Sequence, residues 1–197
     1  MTKDFDIISD MEKVGVTPPP SKISIEIPNA DDWFYKVYEE ILKADRRVLR
    51  KNKHYDDIIL WLKGNNQSGL IIMGSCGLGK SMIAKYIIPY IVMKVYGRIF
   101  KVVNASEISN KKTLEDILEN RLIVLDDIGT EEMIMEYGNR IDPIPIIVDR
   151  AEKEGKLLII TTNLTPSQIK DRYGDRIADR IRYLCKQVAI KGESYRC

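Results

Sequence analysis

Histidine occurs once in this chain, at His54, and cysteine three times, at Cys76, Cys185 and Cys197, an odd number at wide spacing. That supply makes neither a disulfide framework nor a zinc site, and a reducing cytoplasm is the compartment it suits. No run of roughly 18 uncharged apolar residues occurs, so no membrane-spanning helix is expected. The N-terminus, Met1-Thr-Lys-Asp-Phe-Asp, alternates charge with apolar residues and lacks the apolar core of a signal peptide. Internal repeats and low-complexity tracts are missing too. Lys and Arg number 31 against 29 Asp and Glu, so net charge by itself directs the chain to no polyelectrolyte partner. What remains is an apolar content of 44% in 197 residues, enough to fill one core, with a short N-terminal appendage.

The charge is unevenly spread. Lys43, Arg46, Arg47, Arg50, Lys51 and Lys53 gather in one stretch, opposed locally by Asp45 alone. Lys170, Arg172, Arg176, Arg180, Arg182 and Lys186 form a second, interleaved with Asp171, Asp175 and Asp179. Each stretch reads either as a solvated helix face or as a contact for nucleic-acid phosphates, and charge does not decide between them.

Along the chain, Pro18-Pro19-Pro20 and the weak alternation at Ile23, Ile25 and Ile27 predict an extended or partly disordered arm. A helix is expected from Asp31, capped by Asp31 or Asn29, with Trp33, Val37, Ile41, Ala44 and Val48 at helical spacing. A second amphipathic stretch, Tyr55 to Leu62, stops at Gly64-Asn65-Asn66. Short apolar strands then alternate with helices. The expected strands are Leu70–Met73, Ile99–Val103, Leu122–Leu125, Leu157–Ile160 and Gln187–Ile190. The expected helices are Ser81–Tyr96, kinked at Pro89, then Thr113–Glu119 and Ile146–Glu154, with Pro143 and Pro145 breaking the connection before the last and Gly155 ending it. This alternation predicts an α/β fold with a mainly parallel sheet covered on both faces.

Gly74-Ser75-Cys76-Gly77-Leu78-Gly79-Lys80-Ser81 satisfies the phosphate-loop pattern G-x-x-x-x-G-K-[ST] without a mismatch, between a strand and a helix. Its glycines let successive N–H groups converge on phosphate oxygens. Lys80 reaches the β- and γ-phosphates, and the Ser81 hydroxyl can ligate Mg2+. The apolar strand Leu122-Ile123-Val124-Leu125 ends in Asp126-Asp127, the Walker-B arrangement. Asp126 is expected to hold the metal, through water, and Asp127 to polarise the attacking water. Glutamate is common at the second position, and aspartate is one methylene shorter, so slow turnover is expected. The strand at 157–160 ends in Thr161-Thr162-Asn163, where Asn163 is placed to orient that water. Arg176 and Arg180 lie four apart on one helical face and are candidates for an arginine that reaches a neighbour's phosphates.

With these elements in this order, the sequence resembles the AAA+ ATPases of the DnaC/IstB type, which are related to the initiator DnaA. The resemblance runs from Tyr55 to Cys197 and rests on the phosphate loop, Leu125-Asp126-Asp127-Ile128-Gly129, Thr161-Thr162-Asn163-Leu164, Tyr173-Gly174-Asp175-Arg176 with Arg180, and the ending Gly192-Glu193-Ser194-Tyr195-Arg196. It implies a P-loop NTPase three-layer sandwich with a five-stranded sheet, an AAA+ core without the helical lid domain of most AAA+ proteins. It implies ATP and Mg2+ as cofactors, side-by-side self-association in the ATP state, and Arg180 ahead of Arg176 as the arginine finger. The implied division is residues 1–50 as an N-terminal arm and helix, a candidate partner-binding segment, and 51–197 as the ATPase core.

The chain departs from the family between Asn104 and Arg121, which is short where relatives carry a longer helical insertion contacting single-stranded DNA, and in a brief N-terminal region lacking a zinc-binding cysteine set. The expected function is an ATP-hydrolysing loader of a replicative helicase, with Trp33 and Phe34 in the segment that grips it. An accessory ATPase that recruits a transposase shares the same engine. From other classes, a nucleotide-gated binding module with little hydrolysis and a small-molecule P-loop kinase use the same loop.

Overall fold

Five apolar segments pair in parallel as one sheet: β1 (Gly69–Met73), β2 (Lys101–Asn104), β3 (Leu122–Ile128), β6 (Leu157–Thr162) and β7 (Cys185–Ala189), in the order β2-β3-β6-β1-β7. The computed structural model describes residues 6–44, 53–136 and 138–192. Arg46, Arg47, Arg50 and Lys51 of the first basic stretch, Val48, Cys197 and the Glu193–Arg196 part of the expected ending lie outside the described residues.

Successive strand residues face opposite ways, and here both directions are apolar. On one face Leu70, Ile72, Val124 and Ile159 pack with Phe34, Tyr55, Trp61, Ile83 and Ile87. On the other, Ile71, Ile123, Leu125 and Ile160 pack with Ile144, Ile147, Ile169 and Ile181. The first face is covered by α2 (Ala30–Ala44), α3 (Tyr55–Lys63) and the helical segments α4 (Lys80–Met82) and α5 (Ile88–Tyr96), joined by a π-turn at Ile83–Ile87. The second is covered by α6 (Lys111–Leu118), α7 (Pro143–Glu154), α8 (Pro166–Tyr173) and α9 (Asp175–Leu184). The result is the expected three-layer sandwich.

Several local expectations are corrected. The N-terminal segment is not a loose arm. It begins with a short helix, α1 (Ile7–Lys13), and its Ile23, Ile25 and Ile27 are buried in the first-face core. Buried Asn65 pins it there, accepting from Ile25 N at 2.9 Å and donating to Ile23 O at 3.1 Å. Pro143 and Pro145 do not break a connection but open α7, with Asp142 as N-cap. An orphan N–H is no loss in a first turn, so proline is tolerated there. Ahead of α7 a hairpin, β4 (Ile134–Glu136) with β5 (Asn139–Ile141), had no sequence counterpart. At Pro89, where a kink is expected, the turn before it is altered: Ile88 N–H reaches back five residues to Ile83 O, and the helix widens there and continues. β2 begins at Lys101 and not at Ile99, which is 76% exposed.

The second basic stretch is largely paired inside the chain. Lys170 meets Asp175, Arg172 meets Glu131, Arg176 and Arg180 meet Asp149, and Arg182 meets Asp179. Lys186 donates to Asp57 O. Phe34 is fully buried and belongs to the core, whereas Trp33 is half-buried at its edge. Burial pushes the Cys185 thiol up to about 12, which marks it as packing.

Candidate functional site

β6 lies between β1, which feeds the phosphate loop, and β3, which carries the two aspartates. The C-terminal ends of all three open on the same edge, where the strand order reverses around β1; ligands of parallel sheets bind at such a switch point.

The loop leaves β1 at Gly74 (φ +149°), where a Cβ would stand 2.3 Å from Ile190 O, so only glycine fits. It enters α4 through Gly79 (φ +79°), left-handed and 2.9 Å from the Tyr38 hydroxyl at the position a Cβ would take. Leu78 is 1% exposed and roots the loop in the core, while Ser75 and Cys76 face solvent. Gly77 and Ser81 are half-buried. Lys80 is buried and donates to Ser75 O at 2.8 Å and to Asn163 Oδ1 at 2.9 Å.

The acids come next. Leu125 pairs with Ile160 but Ile128 with Thr162, so β3 carries one extra residue over this step. The bulge falls at Asp127, whose φ of +59° is rare for a residue with a side chain. Such a bulge re-aims a side chain, and here Asp127 Oδ1 accepts from Asn163 Nδ2 at 2.7 Å. Asn163 therefore uses both ends of its amide, joining the loop lysine to the second acid in one line. Asp126 is 3% exposed, and its Oδ1 accepts from the Thr161 hydroxyl at 2.7 Å. The same hydroxyl accepts from Asp127 N at 2.8 Å, so Thr161 fixes both acids. Across from this pair Lys85 Nζ stands 3.6 Å from Asp126 Oδ2. Nothing in the Thr161-Thr162-Asn163 or Ser81–Tyr96 patterns singled out Thr161 or Lys85, because their partners are remote in sequence.

The oxygen chemistry fits a nucleotide with Mg2+. Among the described residues no group of three or more His, Cys, Asp and Glu could hold a metal. A hard cation here would need the Ser81 hydroxyl, Asp126 and the phosphates together, which is the way Mg2+ is usually bound.

Just beyond the acids, Glu131 is buried and accepts from Gly129 N at 2.7 Å, Tyr173 Oη at 2.7 Å and Arg172 Nη2 at 2.6 Å. Burial, then the bonded Glu131 carboxylate, push the Tyr173 hydroxyl pKa up, and that carboxylate raises Arg172 as well. This knot ties the loop after β3 to α8, a support that the motif reading missed. Arg180 is tied down further along, to Asp149 and to Glu152 at 2.7 Å, with its side chain 24% exposed. Arg176 is 73% exposed and makes one longer contact, 3.3 Å to Asp149. The chain thus brings Lys80, Asp126, Asp127 and Asn163 together, and sets Arg176 and Arg180 on α9, packed against α7.

Known proteins share the fold. The chain is similar in fold to the DnaC helicase loader (TM-score 0.59, 20% identity, covering 73% of this chain and 94% of that one). It is also similar to DnaI (TM-score 0.53, 23% identity, 66% and 73%) and to AMPPCP-bound DnaA from Aquifex aeolicus (TM-score 0.53, 15% identity, 74% and 49%). Among curated proteins no sequence matches. Residues 60–197 match the family model described as IstB-like ATP binding protein. With that match over more than half of its length, the chain belongs to the IstB-like ATP-binding proteins.

Proposed function

We propose that this chain hydrolyses ATP and uses the cycle to load a replicative helicase. The observation that carries hydrolysis is the hydrogen-bonded line from Lys80 through Asn163 to Asp127 at the mouth of the phosphate loop. The loop amides and Lys80 hold the phosphates in place. Ser81 and Asp126 hold Mg2+, which supplies positive charge where the transferring phosphoryl develops negative charge. Asp127 accepts a hydrogen bond from the attacking water while Asn163 orients it. An arginine from a neighbouring subunit completes the site.

The two arginines separate by experiment. Arg176→Ala is expected to lower hydrolysis with little change in stability, because its one contact is long and exposed. Arg180→Ala is expected to lower hydrolysis and also cost about 2 kcal/mol, since it removes charged hydrogen bonds holding α9 to α7. Phosphate release and thermal unfolding of both variants check this; a full-rate Arg180→Ala chain would remove its proposed role.

The fold likeness to the DnaC helicase loader over nearly all of that chain supports the loader reading. The partner-binding part is assigned to the N-terminal 50 residues, where α1 exposes Ile7 and Ile8 and Trp33 sits at the core's edge. The family description favours a second reading, an accessory ATPase for transposition. Affinity capture from the native extract with ATP decides: a replicative helicase is expected on the unaltered chain and not on Lys80→Ala. A transposase in its place moves the chain to the second reading, and neither partner contradicts both.

A further inference from the structure

We propose that Lys85 and a divalent cation compete for one oxygen of Asp126, so that Lys85 sets how much Mg2+ the site requires. The proposal rests on Asp126 being the metal-holding carboxylate.

Asp126 is a desolvated carboxylate, its side chain 5% exposed. Burying such a charge without a compensating one is costly. One of its oxygens, Oδ1, is taken by the Thr161 hydroxyl. The other, Oδ2, faces the Lys85 ammonium at 3.6 Å. That separation is outside hydrogen-bond range, so the contact is charge against charge, without directional commitment, and exchangeable for another cation. Lys80, the other ammonium of the site, donates to Ser75 O and Asn163 Oδ1.

The local backbone explains why a lysine stands there. Lys85 occupies the middle of the π-turn Ile83–Ile87. Its carbonyl is the one that an N–H at position 89 would meet in a regular helix, and Pro89 has none. The widened turn lies between α4 and α5 and packs against β3, and π-turns of this kind recur at functional sites. Lys85 also lines the open groove between α2 and α5, beside Trp33, Met82 and Tyr86, with 27% of its side chain exposed. The ammonium therefore has a route to solvent that disturbs no core residue. A hydrated cation whose bound water reaches Oδ2 would bring +2 where +1 stood, and the lysine would swing into the groove.

Two effects of opposite sign follow from removing the ammonium. Asp126 loses a countercharge, so the metal-free chain becomes less stable; the competitor is gone, so metal binds at lower concentration. The test measures the affinity of a fluorescent ATP analogue across buffered free Mg2+, with thermal unfolding alongside, for the unaltered chain, Lys85→Met and Lys85→Arg. Lys85→Met is expected to lower the Mg2+ midpoint roughly tenfold, a ratio set by the charge-charge term alone. Its analogue binding in EDTA should change much less, within about twofold, because charges that are not in direct contact are screened by solvent and salt. Its melting temperature should fall without divalent cation and recover with Mg2+ and ATP, while Lys85→Arg keeps the midpoint near that of the unaltered chain. An unchanged or higher midpoint in Lys85→Met overturns the proposal. So does a large loss of analogue binding in EDTA, which would place Lys85 on the phosphates. If the unaltered chain binds no nucleotide, or binds it without regard to Mg2+, the reading of the site itself fails, and that result needs no substitution to be seen.

Discussion

Alanine in place of Lys80 is expected to weaken ATP binding by about a hundredfold or more, the cost of removing one side of a desolvated, hydrogen-bonded charge pair. Lys80 is buried at the start of α4, and its ammonium is the positive group positioned between the loop carbonyl of Ser75 and the amide of Asn163. Phosphate oxygens must approach the loop where that ammonium sits. Without it, the charge of the β- and γ-phosphates is not met. Folding should survive, because alanine suits a helix and the core around Leu78 and Ile83 is untouched. Isothermal titration with ATP, with thermal unfolding as control, checks this. Normal ATP binding by a folded Lys80→Ala chain would mean that Gly74–Ser81 is not the nucleotide site.

The second large effect is expected at Asp127, on rate and not on binding. Asp127→Asn should hold ATP within about threefold of the unaltered chain and lose about 10²–10³ in turnover, the size typical of a missing general base or positioned polar group. Asparagine is the right replacement, because position 127 sits at φ +59°, a conformation that Asn and Asp tolerate and alanine does not. Its Oδ1 can still accept from Asn163, so geometry is kept and only the charge is lost. Asn163→Ala should slow turnover to a similar extent, because it cuts the line between Lys80 and Asp127. If Asp127→Asn turns over at the full rate, the water is activated by something else.

Much of this site is legible in the sequence. The phosphate loop has a fixed length and residue types that chemistry enforces, and apolar strands ending in Asp126-Asp127 and Thr161-Thr162-Asn163 mark the sheet edge that faces it. The parts that were not legible depend on contacts remote in sequence. Ile23, Ile25 and Ile27 read as an extended or partly disordered arm until Asn65, some forty residues on, is seen to pin them. Pro143 and Pro145 read as breakers because a proline's cost depends on whether its N–H would have had a partner, and at the first turn of α7 it would not. The bulge at Asp127 comes from pairing with β6, which no local pattern encodes. Arg180 is a candidate to reach a neighbour's phosphates; that it also bonds Asp149 and Glu152 comes from the packing of α9 on α7, which the spacing of the two arginines does not encode.

The most direct test of the account is the fate of ATP bound to the unaltered chain in a single turnover: radiolabelled ATP with Mg2+, protein in excess at a concentration that permits self-association, and products separated after acid quench. The account predicts that bound ATP becomes ADP and phosphate, slowly, and that Asp127→Asn binds the same ATP and keeps it intact. ATP that stays intact on the unaltered chain, or cleavage at equal rates by both, would contradict a hydrolytic site built on Lys80, Asn163 and Asp127.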